Sequence, residues 1–149
     1  VPVFVDTNVL VSARDRANQD KYARARAWID HLWDSGEGRL SMQVLHEYYV
    51  TTTRKLRPGL PPAEARADVR DLSAWEPVIL GADGLETAWA VEERFGLSFW
   101  DALVVAAAHI GRCDVLLTED LAEGTDLDGL VVIDPFHTAP PAGHSERSL

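Results

Sequence analysis

Cysteine is almost absent from this 149-residue chain, and Cys113 stands alone. One thiol excludes a disulfide framework and a thiolate zinc cluster, and a buried inert role suits it. Lysine is nearly as scarce, with only Lys21 and Lys55 among 14 basic residues against 24 acidic ones. The formal charge of −10 excludes a broadly basic surface, so any nucleic-acid function must work against long-range repulsion. The arginine bias favours forked contacts to phosphate or carboxylate over point charges, although a bias in genomic base composition explains it equally well. No apolar run approaches the ~20 residues that span a bilayer. The first residues also lack the basic-then-apolar order of a secretory signal. The expectation is a cytoplasmic protein with no membrane association.

What is present is enough apolar sequence, 46% of residues, to build one domain with a sizeable core. The run Val3-Phe4-Val5 before Asp6-Thr7-Asn8 reads as a buried strand of a parallel sheet, ending where Asp6 emerges. Ligands of open α/β sheets gather outside the carboxyl ends of the strands, where strand order reverses. Asp6 therefore stands where chemistry is expected, and it equally suits a cap on a following helix or a turn.

Beyond a polar connection at 13–18, helical spacing of Tyr22, Ala25, Trp28, Ile29 and Leu32 predicts a helix over 19–35, closing at Gly36. A short strand is expected over 39–42. Ser41 then caps a helix from about Met42 to Leu56, with Glu47 at the edge of its apolar stripe. Prolines at 58, 61 and 62 separate this helix from the next, over 63–74. A strand at 77–80 precedes a helix over 85–95, for which Asp83 and Glu86 read as a capping box. Ser98 with Asp101 repeats that spacing and opens a helix over 99–110 that is apolar all round, hence buried. Strands follow at 114–118 and 130–133. The residues from His137 on, with proline, glycine and small polar residues, read as a disordered tail after a domain spanning 1–136. Alternating strands and helices predict an α/β fold, a parallel sheet of about five strands with helices on both faces.

A second apolar strand, Val115-Leu116-Leu117, delivers Thr118, Glu119 and Asp120 at its end. Residues two apart share a side of an extended chain, so Thr118 and Asp120 point together and Asp120 is preferred to Glu119 as a site group. Both acids could equally solvate a loop. Asp101 lies in the first turn of a buried helix, where the positive helix end favours a carboxylate, and it could equally complete a capping box with Ser98. Glu47 alone reads as a solvated acid. Together, Asp6, Glu47, Asp101 and Asp120 fall where one edge of the sheet could collect them. Carboxylates ~4 Å apart repel by on the order of 4 kcal/mol at an effective dielectric near 20. A cluster of them requires a cation, and oxygen-only ligands select Mg2+ or Mn2+. A hydrated ion of that kind suits polarisation of a phosphodiester.

The opening hydrophobic-Asp6-Thr7-Asn8, the helix acid in Val44-Leu45-His46-Glu47-Tyr48-Tyr49, Ser98-Phe99-Trp100-Asp101-Ala102, and Leu117-Thr118-Glu119-Asp120-Leu121 resemble, in order and spacing, the PIN-domain ribonucleases. Within them the chain looks most like the VapC-type toxins of toxin-antitoxin modules, over about Val3 to Pro135. The resemblance implies a three-layer α/β/α, PIN-like fold and a Mg2+- or Mn2+-dependent endoribonuclease whose acids match Asp6, Glu47, Asp101 and Asp120. Asn8 and Thr118 match supporting polar positions. It also implies an RNA substrate, a cognate antitoxin and a homodimer. The departure from the family is the acidic balance. Arg54, Lys55 and Arg57 are the candidate phosphate grip, and they equally suit a solvated helix end favoured by the negative dipole there.

Rival readings meet specific residues. A haloacid-dehalogenase phosphatase needs an Asp where Asn8 stands, and a zincin begun by His46-Glu47 needs a histidine where Val50 stands. From another class, a catalytically inactive PIN-like binding module or scaffold remains the alternative. Trp33, Tyr49, Trp75 and Trp89 are candidates for a partner surface, as well as for the core.

Overall fold

A computed structural model describes residues 1–142, and 143–149 lie outside the described residues. Five short strands form one sheet in the order β2-β1-β3-β5-β4: β1 Val3–Val5, β2 Gly38–Arg39, β3 Val115–Leu117, β4 Asp126–Leu127 and β5 Leu130–Ile133. All pairs are parallel except β4 with β5. Six helices accompany them: α1 Thr7–Ser12, α2 Gln19–Ser35, α3 Met42–Val50, α4 Pro62–Leu72, α5 Ala82–Phe95 and α6 Phe99–Ile110. This is the expected α/β architecture. No helix among the described residues is long and apolar enough to cross a membrane.

The chain leaves β1 toward β2 on one side and returns to β3 on the other, so strand order reverses between β1 and β3. That gap is the switch point at which open sheets bind ligands. Phe4, Val5, Leu116 and Leu117 in these two strands are fully buried. Helix α6 covers them with seven consecutive buried residues, Ala102 to Ala108, as its nearly unbroken apolar composition predicts.

Local differences from expectation have local causes. Asp6 caps α1, a short helix not foreseen because its six residues carry too little periodicity to register. The segment expected as a strand over 77–80 touches the sheet through one bridge, Ser41 to Val78. Pro77 lacks a donor, Ile79 is 78% exposed, and α5 starts at Ala82, leaving no length for a ladder. The helix expected to run from Met42 to Leu56 is regular only to Val50 and then widens into a π-helical turn, Thr51–Lys55. There the hydroxyls of Thr52 and Thr53 donate to the carbonyls of Tyr48 and Tyr49 at 2.7 Å, competing with the backbone for its own acceptors. Asp83 is not a cap. Gly81 holds that position without a side-chain bond, and Asp83 sits in the first turn.

Trp75 belongs to the core. Its ring lies so close to Gly38 that an added Cβ would fall 2.7 Å from it, which fixes glycine at the start of β2. Within the tail expected from His137 on, the Thr138 carbonyl accepts from Trp28 at 2.8 Å and its hydroxyl donates to Glu123 at 2.7 Å. The rest of that expectation falls mainly on 143–149, outside the described residues.

Candidate functional site

Strand register alone brings the first two residues of the site together. Val5 pairs with Leu117, so the next residues, Asp6 and Thr118, emerge side by side at the carboxyl edge. The backbone N–H of Asp6 donates to Leu117, and that of Thr118 to Ile133, which holds both in line with their strands. Thr118 is 1% exposed, and its hydroxyl donates to Asp6 Oδ2 at 2.9 Å. Thr118 Oγ1 in turn accepts from the Asp120 backbone N–H and from Asn8 Nδ2, each at 3.1 Å. Asn8, on the first turn of α1, also reaches Asp120 Oδ2 at 3.1 Å and Asp6 Oδ2 at 3.4 Å. Asp6 Oδ1 accepts from the Thr7 N–H at 2.7 Å. Capping α1 and entering the polar cluster are thus two uses of one carboxylate.

Glu47 and Asp101 line the same cleft, of about 480 Å3, as Asp6, Asn8 and Asp120. Glu47 is exposed on α3 and accepts from the Thr7 hydroxyl at 3.1 Å. Asp101 is half-buried at the start of α6, where its N–H donates to Ser98 at 3.2 Å. Its carboxylate makes no return bond to Ser98 among the described residues, so the capping box is formed on one side only. Glu119 leaves the cluster for Lys21, with Oε2 at 2.6 Å from Nζ, and Lys21 lies over the Phe136 ring at 4.9 Å. Arg54, Lys55 and Arg57 stand apart from the lining residues; Arg57 donates to the carbonyls of Arg54 and Leu56.

Burial pushes the Asp6 carboxyl up to about 6. Hydrogen bonds from Thr118 and Thr7 oppose the rise, and the charges of Asp120 and Glu47 add to it. Asn8 Oδ1 is buried without a hydrogen-bond partner among the described residues. Its two Nδ2 hydrogens face three acceptors, so the cluster is short of positive charge and of donors. No three His, Cys, Asp or Glu among the described residues approach closely enough to hold an ion between them directly. An all-oxygen donor set at this spacing fits a hydrated Mg2+ or Mn2+, which touches one or two carboxylates and keeps several waters.

Several lining residues escaped the sequence reading. Gln43 and Thr51 flank Glu47 one helical turn to either side, a spacing that places all three on one face. Trp100 precedes Asp101 and is 65% exposed, more than Trp33 or Trp89. A separate cavity of about 640 Å3 contains none of the four acids. At its wall Arg14 donates to Asp68 at 2.9 and 2.8 Å and to Glu64 at 2.9 Å, and the Tyr48 hydroxyl donates to Asp68.

Residues 3–122 match the PIN domain model, and the chain belongs to the PIN domain family. Among solved structures it is similar to a toxin-antitoxin complex from Klebsiella pneumoniae, at 19% identity and a TM-score of 0.63, covering 91% of this chain and 98% of that one. It is also similar to VapC20 of Mycobacterium tuberculosis, described as a sarcin-ricin-loop-cleaving toxin, at 26% identity and a TM-score of 0.58, covering 76% and 86%. No curated protein matches the chain in sequence.

Proposed function

We propose that this chain is a Mg2+- or Mn2+-dependent endoribonuclease, acting as the VapC-type toxin of a toxin-antitoxin pair. The observation that carries the reading is that Asp6, Glu47, Asp101 and Asp120, from four separate segments, line one cleft at the switch point of a PIN fold. Similarity to VapC20 supports RNA as the substrate, and similarity to a toxin-antitoxin complex supports an antitoxin partner. A homodimer is part of the same proposal.

When bound, a divalent ion would withdraw charge from a phosphodiester and make water more acidic. Asp6, Asp101 and Asp120 would hold it, directly or through water. Thr118 and Asn8 fix the carboxylates of Asp6 and Asp120 before any substrate arrives, so little reorganisation is left for the reaction. Glu47, tied at one oxygen by Thr7, has the other to take a proton from water in the cleft. The buried Asp6 must be ionised to serve, and a nearby cation would favour that form against the burial that opposes it.

The test is cleavage of a structured RNA in Mg2+ or Mn2+, with Mn2+ titrated by calorimetry. A tight Mn2+ site and cleavage that Asp6→Asn abolishes are expected. Full activity in a folded Asp6→Asn protein sinks the assignment, and a chain without a Mn2+ site is instead the inactive binding module.

A further inference from the structure

An acidic cleft offers RNA phosphates almost nothing. Six of its lining residues are acids, and the one lining base, Lys21, is already paired with Glu119. Arg14, close in sequence to α1, is committed to Asp68 and Glu64, and the guanidinium of Arg16 lies over the Tyr22 ring at 4.6 Å. A bound cation would offset charge at the reacting phosphate only, leaving the neighbouring nucleotides without a grip.

The cleft does contain one large apolar group. Trp100 stands at its edge with 65% of its surface open, beside Asp101, at the start of a helix buried from Ala102 through Ala108. Its backbone is rigidly placed by the Ser98 cap and by packing of α6. Its ring meets Phe99 at 5.4 Å between centroids and 67° between planes, a T-shaped contact that does not cover it as a stacked neighbour would. Leaving an indole this exposed in a charged cleft forgoes the burial that would favour folding. Every nucleobase presents an apolar face, and a base stacked on an aromatic side chain contributes affinity that is not a contact to phosphate.

We propose that Trp100 is a base-stacking subsite, which receives one unpaired nucleobase of the RNA adjoining the phosphodiester held at the acids. The proposal rests on the nuclease reading for its substrate. It assigns affinity to the indole face where most RNA-binding surfaces use a basic patch. It also selects for loops and single strands, whose bases are free to leave their neighbours, over continuous duplex.

Binding of a short single-stranded RNA is measured by fluorescence anisotropy with Ca2+, and cleavage with Mn2+, for the wild type and for Trp100→Phe, Trp100→Leu and Trp100→Ala. Exposure of the side chain means that thermal melting should be unchanged in all three. Loss of one stacked base is expected to weaken binding by about 10- to 100-fold in the Ala and Leu variants. Trp100→Phe should retain most of the affinity. The slope of log affinity against log salt should not move, because no phosphate contact is removed. In cleavage the loss should appear in KM and leave kcat in place. RNA lacking the base at one position should cost the wild type the same factor and cost Trp100→Ala nothing further.

Equal affinity of the wild type and Trp100→Ala overturns the proposal, as does a wild type that binds no single-stranded RNA. A Trp100→Ala variant altered only in oligomeric state by sedimentation also overturns it, assigning the indole to a protein contact. A wild type that binds through Trp100 yet cleaves nothing defeats the nuclease reading and leaves the stacking subsite standing. A Trp100→Ala variant that binds and cleaves as well as the wild type does the reverse.

Discussion

The cleft has two unlike walls. On the strand side, Asp6, Thr118, Asn8 and Asp120 form a hydrogen-bonded cluster in which Thr118 alone takes part in three bonds. On the helix side, Glu47 and Asp101 have fewer partners, with one tie to Thr7 between them at their carboxylates. The strand wall is built by register and has nowhere to go; the helix wall can turn its side chains toward whatever binds. Preorganisation and adaptability are thus divided between sheet and helices, and substitutions should reveal the division.

Asp6→Asn is expected to lower cleavage by on the order of 10^3-fold, because it removes a charge that the strand wall holds in place. Asp101→Asn should also abolish most cleavage while leaving the melting temperature level, since its carboxylate supports no neighbour; single-turnover assays and calorimetric melts of both variants make the comparison. Equal shifts in melting temperature from the two would erase the distinction between the walls.

Acidity separates them next. Asp6 has a folded value near 6 against an unfolded value near 3.8. The native state therefore holds the proton more tightly between those values, and its stability falls as pH rises through that window. The loss is about 3 kcal/mol at neutral pH, from roughly two units at 1.36 kcal/mol each. In chelator, urea unfolding of the wild type should show this fall from about pH 4 to 6, and Asp6→Asn should flatten it, making the variant the more stable protein at pH 7.

Thr118→Val keeps the shape and strips the hydroxyl from the strand wall. A cost of about 1–3 kcal/mol in unfolding free energy is expected, together with roughly 10- to 100-fold weaker Mn2+ binding. The smallest effect belongs to Lys21→Met. It breaks a partly exposed ion pair with Glu119, and a change under about 1 kcal/mol in denaturant unfolding is expected.

Much of the strand wall was legible in the chain itself. Two apolar runs ending in Asp6 and in Thr118-Glu119-Asp120 carry their own register, and alternation separates Asp120 from Glu119, which turns to Lys21. The apolar composition of α6 likewise announced its burial. The helix wall was harder to read. Nothing local distinguishes Glu47 from a solvated acid until α3 is docked, and the indole of Trp100 looks like core until α6 is seen to end there. The edge strand β4 consists of two residues, too few for any periodic signal, and its pairing with β5 is made by the turn around Gly129. A proline and an early helix start reduced the expected strand at 77–80 to one bridge, which only the competition among neighbouring elements decides.

The wide turn after α3 has a geometric consequence for the positive charges that follow it. A hydrogen bond closed over five residues in place of four, as from Leu56 N–H to Thr51, inserts one residue and rotates everything downstream by about 100° about the helix axis. Arg54 and Lys55 therefore leave the helix on a different bearing from that which the stripe of Val44, Leu45 and Tyr48 would give them. Deleting a single threonine from Thr51-Thr52-Thr53 would wind the segment back and swing both cations to another flank of the molecule, so that three small hydroxyl side chains act as the compass for its most concentrated positive charge.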